Sequence, residues 1–445
     1  MSVATETNRW LEAYARRPVP AAEPAWLTGL RRAGMDDFAR QGFPSTRLEE
    51  WRFTNVAAIA RTDFAEAPRL TPDSATAKEV GARVAGLPPA TRLVFVNGVL
   101  VPELSHSGVL AEGVQATSLA RALRERPRAV SAHLGRVASG KDHPFVALNT
   151  ALASDGAYIH CASHARMHEP LQLVFVATAS EGPTACHPRV LVVAEPGAEV
   201  RLVEVYLSLP GETLTNAVSE VVVGEGAHVE HVKLQSEALD SFHMATLHAR
   251  QDRSSTFTSY VLSFGAALAR HDVNAVLAGE GVETTLNGLF VVQGRQHVDC
   301  HTRLDHLQPH GVSRETYKGI LSGAATGVFN GRIHVALDAQ KTDARQTNKN
   351  LLLSDEALVQ TNPQLEINAD DVKCSHGSTV GQIDPDQLFY LRARGLDRKQ
   401  ARDLLVYAFA EDVVEKLNVP GLGLVIEEAL LRSLGEGAVP AEASS

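Results

Sequence analysis

Three stretches decide the fold: EPGAEVRLVEV at residues 195–205, GEGAHVEHVKL at 224–234 and GEGVETTLNGL at 279–289. Each opens on a glycine-bearing turn and runs into a β-rich segment whose side chains alternate, as in a strand with one face turned inward. Similar joints recur at Gly197, Gly226, Ser254, Gly281, Gly311, Gln340 and Asp370, with successive joints 27 to 30 residues apart. At Ser254, Gln340 and Asp370 the match lies in spacing and polarity only. A steady period is the mark of a repeat architecture. Two short strands and two turns fit within this one, so each repeat makes a coil whose strands pair with the coils above and below. The expected fold is a parallel β-helix. A two-sheet sandwich explains the strand content equally well, but not the spacing. Alternation also nominates the coil filling: Ile333, Val335 and Leu337 share one face of RIHVALD (332–338), and Leu365 and Ile367 share one face of PQLEIN (363–368).

Working outward, the β pattern runs from about 145 to 383 with no helix predicted beyond two turns. Upstream, RLVFVNGVLVP (92–102) sets two β-rich runs around Asn97-Gly98, a strong hairpin signal, and a weakly helical stretch covers 118–138. Near the start, Trp10, Leu11 and Tyr14 mark one helix, and Leu27, Leu30 and Phe38 mark a second that Gly42 stops. Thr46 and Glu49 have the spacing of a capping box, with Trp51 and Phe53 expected to anchor that turn. Beyond the β region, Asp384-Pro385-Asp386 starts a helix that Gly395 ends. Asp397 caps a longer helix carrying Leu405, Phe409, Val413 and Leu417 at every fourth position; Pro420-Gly421 precedes a last one over 422–434. The predicted organisation is an N-terminal helical region (1–90), a β-helix core (91–383) with its helical insertion, a C-terminal helical domain (384–435) and a disordered tail (436–445).

A chain of 445 residues exceeds what one ordinary core supports, which suits an elongated repeat. A formal net charge of −10 argues against a general nucleic-acid or anionic-membrane surface. Cys161, Cys186, Cys300 and Cys374 are too few and scattered for a disulfide framework, and a reducing compartment is expected. With neither a secretory signal pattern nor a run of about 18 apolar residues, the expected location is cytoplasmic.

Motifs of self-sufficient enzymes are missing: there is no nucleophile elbow, Walker loop, dinucleotide fingerprint or zinc-protease helix. Gly224-Glu225-Gly226 and Gly279-Glu280-Gly281 are read as β turns, since no helix follows them. The informative segment is Asp371 to Gly377, which contains Cys374 and His376. Positions i and i+2 of a strand share a face, so thiolate and imidazole can approach one metal or cluster iron. Two ligands leave a site incomplete, which suits transient holding with a partner's help. Taken alone, the pair reads first as a buried cysteine beside a hydrogen-bonded histidine. A second group, His297, Cys300, His301, His306 and His310, lacks zinc-motif spacing and is read as mainly structural.

Longer blocks supply the context. GFPSTRLEEWRFTNV (42–56), PFVALNTALASDGAYIH (144–160), the run from Ser313 to Ser354, and PQLEINADDVKCSHGSTVGQIDPDQLFYLRARGL (363–396) together resemble the SufB/SufD family, over almost the whole chain. The Cys374-Ser-His376-Gly run followed by Val-Gly-Gln-Ile-Asp is similar to the SufD type. This resemblance implies a right-handed parallel β-helix between helical ends, serving without catalysis of its own as a scaffold in iron–sulfur cluster assembly. It implies a SufB-type paralogue joined through the C-terminal coils, with a transient cluster at the shared interface. It also implies a SufC-type ABC ATPase on the C-terminal helices, where Tyr390, Arg394, Gly395, Leu405 and Phe409 are the expected contacts and ATP hydrolysis belongs to that partner. His376 is the implied metal ligand and Cys374 its neighbour; no permanently bound cofactor is implied. Two competing readings are a carbohydrate-active β-helix enzyme using Asp299, Asp305 or Asp338, and a SufB-type scaffold that pairs with itself.

Overall fold

A left-handed backbone residue marks joint after joint. Gly197, Gly226, Ser254, Gly281, His310 and Lys341 all have positive φ. Each donates its amide to the next turn: Gly197 to Glu225, Gly226 to Arg253, Ser254 to Glu280, Gly281 to Pro309, His310 to Gln340 and Lys341 to Asp371. The turns therefore stack in a hydrogen-bonded column of their own. Two predicted joints, Gly311 and Gln340, shift by one residue, to His310 and Lys341.

In this computed structural model, residues 3–17, 23–106, 108, 110–179, 181–417, 419 and 421–435 are described. The predicted tail at 436–445 lies outside them. Successive strands alternate between an 11-stranded and a 10-stranded sheet, giving a two-sheet parallel β-helix. In the second sheet His228 pairs with Thr256, Thr256 with Glu283, Glu283 with Val312, Val312 with Asp343 and Asp343 with Lys373. Those registers advance by 28, 27, 29, 31 and 30 residues, the period read from the joints. Like residues stack along the rungs: the rings of Phe95, Phe175 and Tyr206 lie parallel with centroids 4.9 Å apart, one strand spacing.

The first end of the helix is closed. Val99–Leu100 folds back antiparallel on Arg92–Val96, and Val114–Ser118 runs antiparallel to Gly156–Cys161. The hairpin turns through Asn97 and Gly98, both at positive φ, as the Asn-Gly signal requires. Helices Leu119–Glu125 and Pro127–Ser131 occupy the predicted insertion. One expectation fails nearby. Pro144–Leu152, assigned to the start of the β core, is a helix with seven buried residues, and the strands resume at Gly156. Its apolar run is buried nearly all round, so periodicity could not separate helix from strand.

The N-terminal helices Val3–Arg16 and Ala25–Gln41 form where predicted. The capping box does not. A 3-10 turn, Glu49–Trp51, starts from Leu48 without a side-chain cap. Phe53 is exposed, so Trp51 alone anchors the turn. It does so under Arg270, whose guanidinium carbon lies 3.8 Å from the indole. Arg270 also donates to Asp299 (2.7 Å), which accepts from Thr54 Oγ1 at 2.6 Å. This clamp ties the 42–56 block to the outer face of the 11-stranded sheet.

At the other end, Pro385–Ala393 is capped by Asp384, and Asp397 and Gln400 build a full capping box for Arg398–Val414. The buried face of that second helix is Ala401, Val406, Ala410 and Val413; of the predicted stripe only Val413 is buried, while Leu405, Phe409 and Leu417 are half-buried. With Leu422–Gly435 it covers Val232, Leu234, Leu289, Val291 and Ile320 on the outside of the 10-stranded sheet. No helix among the described residues is long and apolar enough to cross a membrane.

Candidate site at the open end of the helix

The last rung consists of two edge strands, Leu358–Ile367 and Lys373–Gly381, each paired on one side only. Both are largely uncovered. Cys374 stands in register with buried Ala344, and His376 with buried Gln346. Both side chains therefore face the coil interior, as the i, i+2 spacing predicts, but the interior has no further rung above it. His376 is exposed and Cys374 half-buried against the core. Burial pushes the Cys374 thiol up, and the Asp343 carboxylate adds to that, so it is a thiol rather than a thiolate at neutral pH. Across the opening Thr361 and Ser378 hydrogen-bond at 2.9 Å, spanning the two edge strands.

The open rung corrects the predicted coil filling. Ile333 and Val335 are buried as expected, whereas Leu337 lies beyond its strand and is 67 % exposed. Leu365 is only half-buried and Ile367 is 41 % exposed, because their strand closes no coil.

Hydrogen-bond parity adds a detail the sequence did not announce. Lys373 N donates to Thr342 O and Leu358 N to Ala325 O, so the residues of that parity bond inward. The free edge is left to Cys374, His376, Ser378 and Val380 on one strand, and to Val359, Thr361, Pro363, Leu365 and Ile367 on the other. Pro363 thus occupies a position whose missing N–H would have pointed outward, where proline costs no ladder bond.

The second histidine group disperses. His297 contacts Thr54, His301 pairs with Asp299, and His306 bonds Ser313 inside the coil. His310 holds a turn. Cys300 is buried with its thiol pushed well up by burial. Among the described residues, no three His, Cys, Asp or Glu side chains converge as a metal site. Of the aspartates considered for sugar chemistry, Asp299 is sealed in the Arg270 clamp and Asp305 pairs with Arg303 and His334.

The expected partner contacts separate into two kinds. Tyr390 is exposed, with Arg394 stacked 4.9 Å above its ring, and Gly395 turns the chain at φ 98°. Phe389 beside them is 73 % exposed, and Pro385–Ala393 buries no residue. Phe409 instead packs inward over Lys318, whose Nζ donates to Phe409 O (2.7 Å) and Asp412 Oδ2 (2.6 Å).

The class defined by fold and site is a two-sheet parallel β-helix that folds back antiparallel at its first end and finishes at a rung bearing a Cys-x-His pair. Residues 175–409 match the family model described as "SUF system FeS cluster assembly, SufBD core domain", and residues 8–173 that of the "SufBD protein N-terminal region". The chain is similar to an iron–sulfur cluster assembly SufBD family protein of Synechocystis sp., 33 % identical over 94 % of each chain. It is 34 % identical to the iron–sulfur cluster assembly protein SufD of Escherichia coli over 87 % of this chain and 88 % of that one. For the SufD of Bacillus subtilis the identity is 29 %, over 90 % and 92 %. The chain belongs to the SufBD family of iron–sulfur cluster assembly proteins.

Proposed function

We propose that this chain is a scaffold subunit without catalysis of its own. It joins a SufB-type paralogue through the open rung and supports a nascent iron–sulfur cluster between the two. The observation that carries this reading is the uncapped final coil with Cys374 and His376 on its inner face. An unpaired strand edge in a protein that closes its opposite end is a template for another chain. His376, exposed at the mouth of the coil, is the ligand this chain contributes; Cys374 is a second donor that loses its proton when metal arrives. The remaining ligands come from the partner and from sulfide. A SufC-type ATPase docks on the exposed Pro385–Ala393 helix and supplies ATP hydrolysis. Four unpaired cysteines suit a reducing, cytoplasmic setting.

The test is co-expression with SufB-type and SufC-type partners and anaerobic reconstitution, comparing wild type with His376→Ala. A sharp loss of cluster with the complex mass unchanged is expected. Equal cluster content in both would remove His376 from the site.

A further inference from the structure

Directly below His376 in the ladder stands Gln346, and below Gln346 stands Glu315. All three face the coil interior at successive rungs of one sheet. The Gln346 side chain reaches across the coil to Gly331 of the opposite sheet, where an added Cβ would lie 2.2 Å from its Nε2. A glycine there is what gives the amide room. Gln346 Nε2 donates to Glu315 Oε2 at 2.7 Å. Its Oε1, at a residue 2 % exposed, is buried and has no hydrogen-bond partner. An orphaned buried acceptor costs on the order of 1–3 kcal/mol, so such an atom calls for an explanation.

The rung above supplies one. Strands in a ladder lie about 4.8 Å apart, and His376, in register one rung above, is the next side chain on that inner face. Metal-bound histidines regularly donate their second ring N–H to a carbonyl or carboxylate, which fixes tautomer and ring orientation. We propose that Gln346 is a positioning residue for the mouth: its Oε1 accepts the His376 ring N–H when iron binds the other ring nitrogen, and Glu315 holds the amide so that the oxygen stays available. The planar amide sets oxygen and nitrogen on different sides of Cδ, so engaging Nε2 below keeps Oε1 off Glu315. This inference rests on the reading of His376 as a ligand.

The experiment uses the full complex with a SufB-type partner, reconstituted anaerobically from ferrous iron and sulfide, with ¹⁵N-histidine in this chain only. Pulsed EPR of the reduced cluster reads the ¹⁵N coupling, and a chelator reads the rate of iron loss. Wild type is expected to show a nitrogen coupling that His376→Ala lacks. Gln346→Met, similar in size but without the acceptor, is expected to shift that coupling and speed iron loss by about 10- to 100-fold. A coupling and iron-loss rate in Gln346→Met equal to wild type overturn the inference and leave His376 as a ligand. Absence of any histidine coupling in wild type overturns both. Should Gln346→Met fail to fold, Glu315→Met carries the test: it frees the amide with Gln346 in place, and an unchanged coupling there equally overturns the proposal.

Discussion

Burial pushes the Glu315 carboxyl up to about 7 from its ordinary 4.5, with the Gln346 hydrogen bond only partly offsetting it. Around it stand Cys300 and Thr302 of a strand in the opposite sheet, Tyr317 on its own strand, and Leu286 and Gln346 in register, none of them a cation. An acid whose folded value is raised keeps its proton where the unfolded chain has lost it. Its favourable contribution is therefore complete below about 4.5 and disappears as pH rises through about 7. The interval corresponds to roughly 3 kcal/mol. Glu315→Gln, which imitates the protonated acid, is expected to raise the melting temperature at pH 8 and leave it nearly unchanged at pH 5; thermal scans at the two values decide. At this scale the sequence was half legible. Cys374 and His376 stood out because ligand-type side chains at i and i+2 must share a strand face. Gln346 and Glu315 are ordinary polar residues 30 and 31 positions earlier in turn, and they gain meaning only when the register stacks them. Counting back one period from His376 reaches Gln346, and a second period reaches Glu315.

Single elements depend on contacts that cross the whole chain. Lys318, almost fully buried beneath Phe409, bonds to both the carbonyl of Phe409 and the carboxylate of Asp412, pinning Arg398–Val414 to the sheet. Hydrogen bonds to charged groups contribute about 1.5–3 kcal/mol. Lys318→Met is expected to cost about that much and to speed amide exchange in residues 398–414, read by mass spectrometry, while the β-helix core stays protected. Phe409 is for the same reason a poor probe of partner docking, since changing it loosens the helix itself. The Pro385–Ala393 helix offers a cleaner one. Phe389→Asp, at a side chain 73 % exposed, is expected to abolish capture of a SufC-type ATPase at unchanged melting temperature; retained capture in a pull-down counts against docking there. Helix ends were readable because Asp384, Asp397 and Gly395 act locally. Most of the buried stripe was not, because Leu405 and Phe409 obey helical spacing as well as Val406 and Ala410 do, and only packing against the sheet face below chooses between them.

For the whole molecule, the period carried the reading: turns every 27 to 31 residues point to coils, and two short strands with two turns fit in each, as the two parallel sheets bear out. What the period could not disclose is which rungs are buried, since Leu365 alternates just as Ile333 does but has no coil above it. The open rung gives a further expectation. Cys374, His376, Ser378 and Val380 direct backbone N–H groups outward, while Pro363 removes the middle donor of the companion strand. Pairing should therefore run chiefly along the Lys373–Gly381 edge. Ser378→Pro, which deletes a donor there without touching the inward ladder, is expected to weaken partner association at least tenfold by native mass measurement, and equal association would shift the joint elsewhere.

Strands that fold back antiparallel finish one terminus of the coil stack, and the other ends on two parallel edge strands. A stack built this way presents its long parallel edge at one end only. Under the proposed pairing, a second chain that adds there uses that edge up, so the backbone geometry that drives fibrils elsewhere stops at a pair.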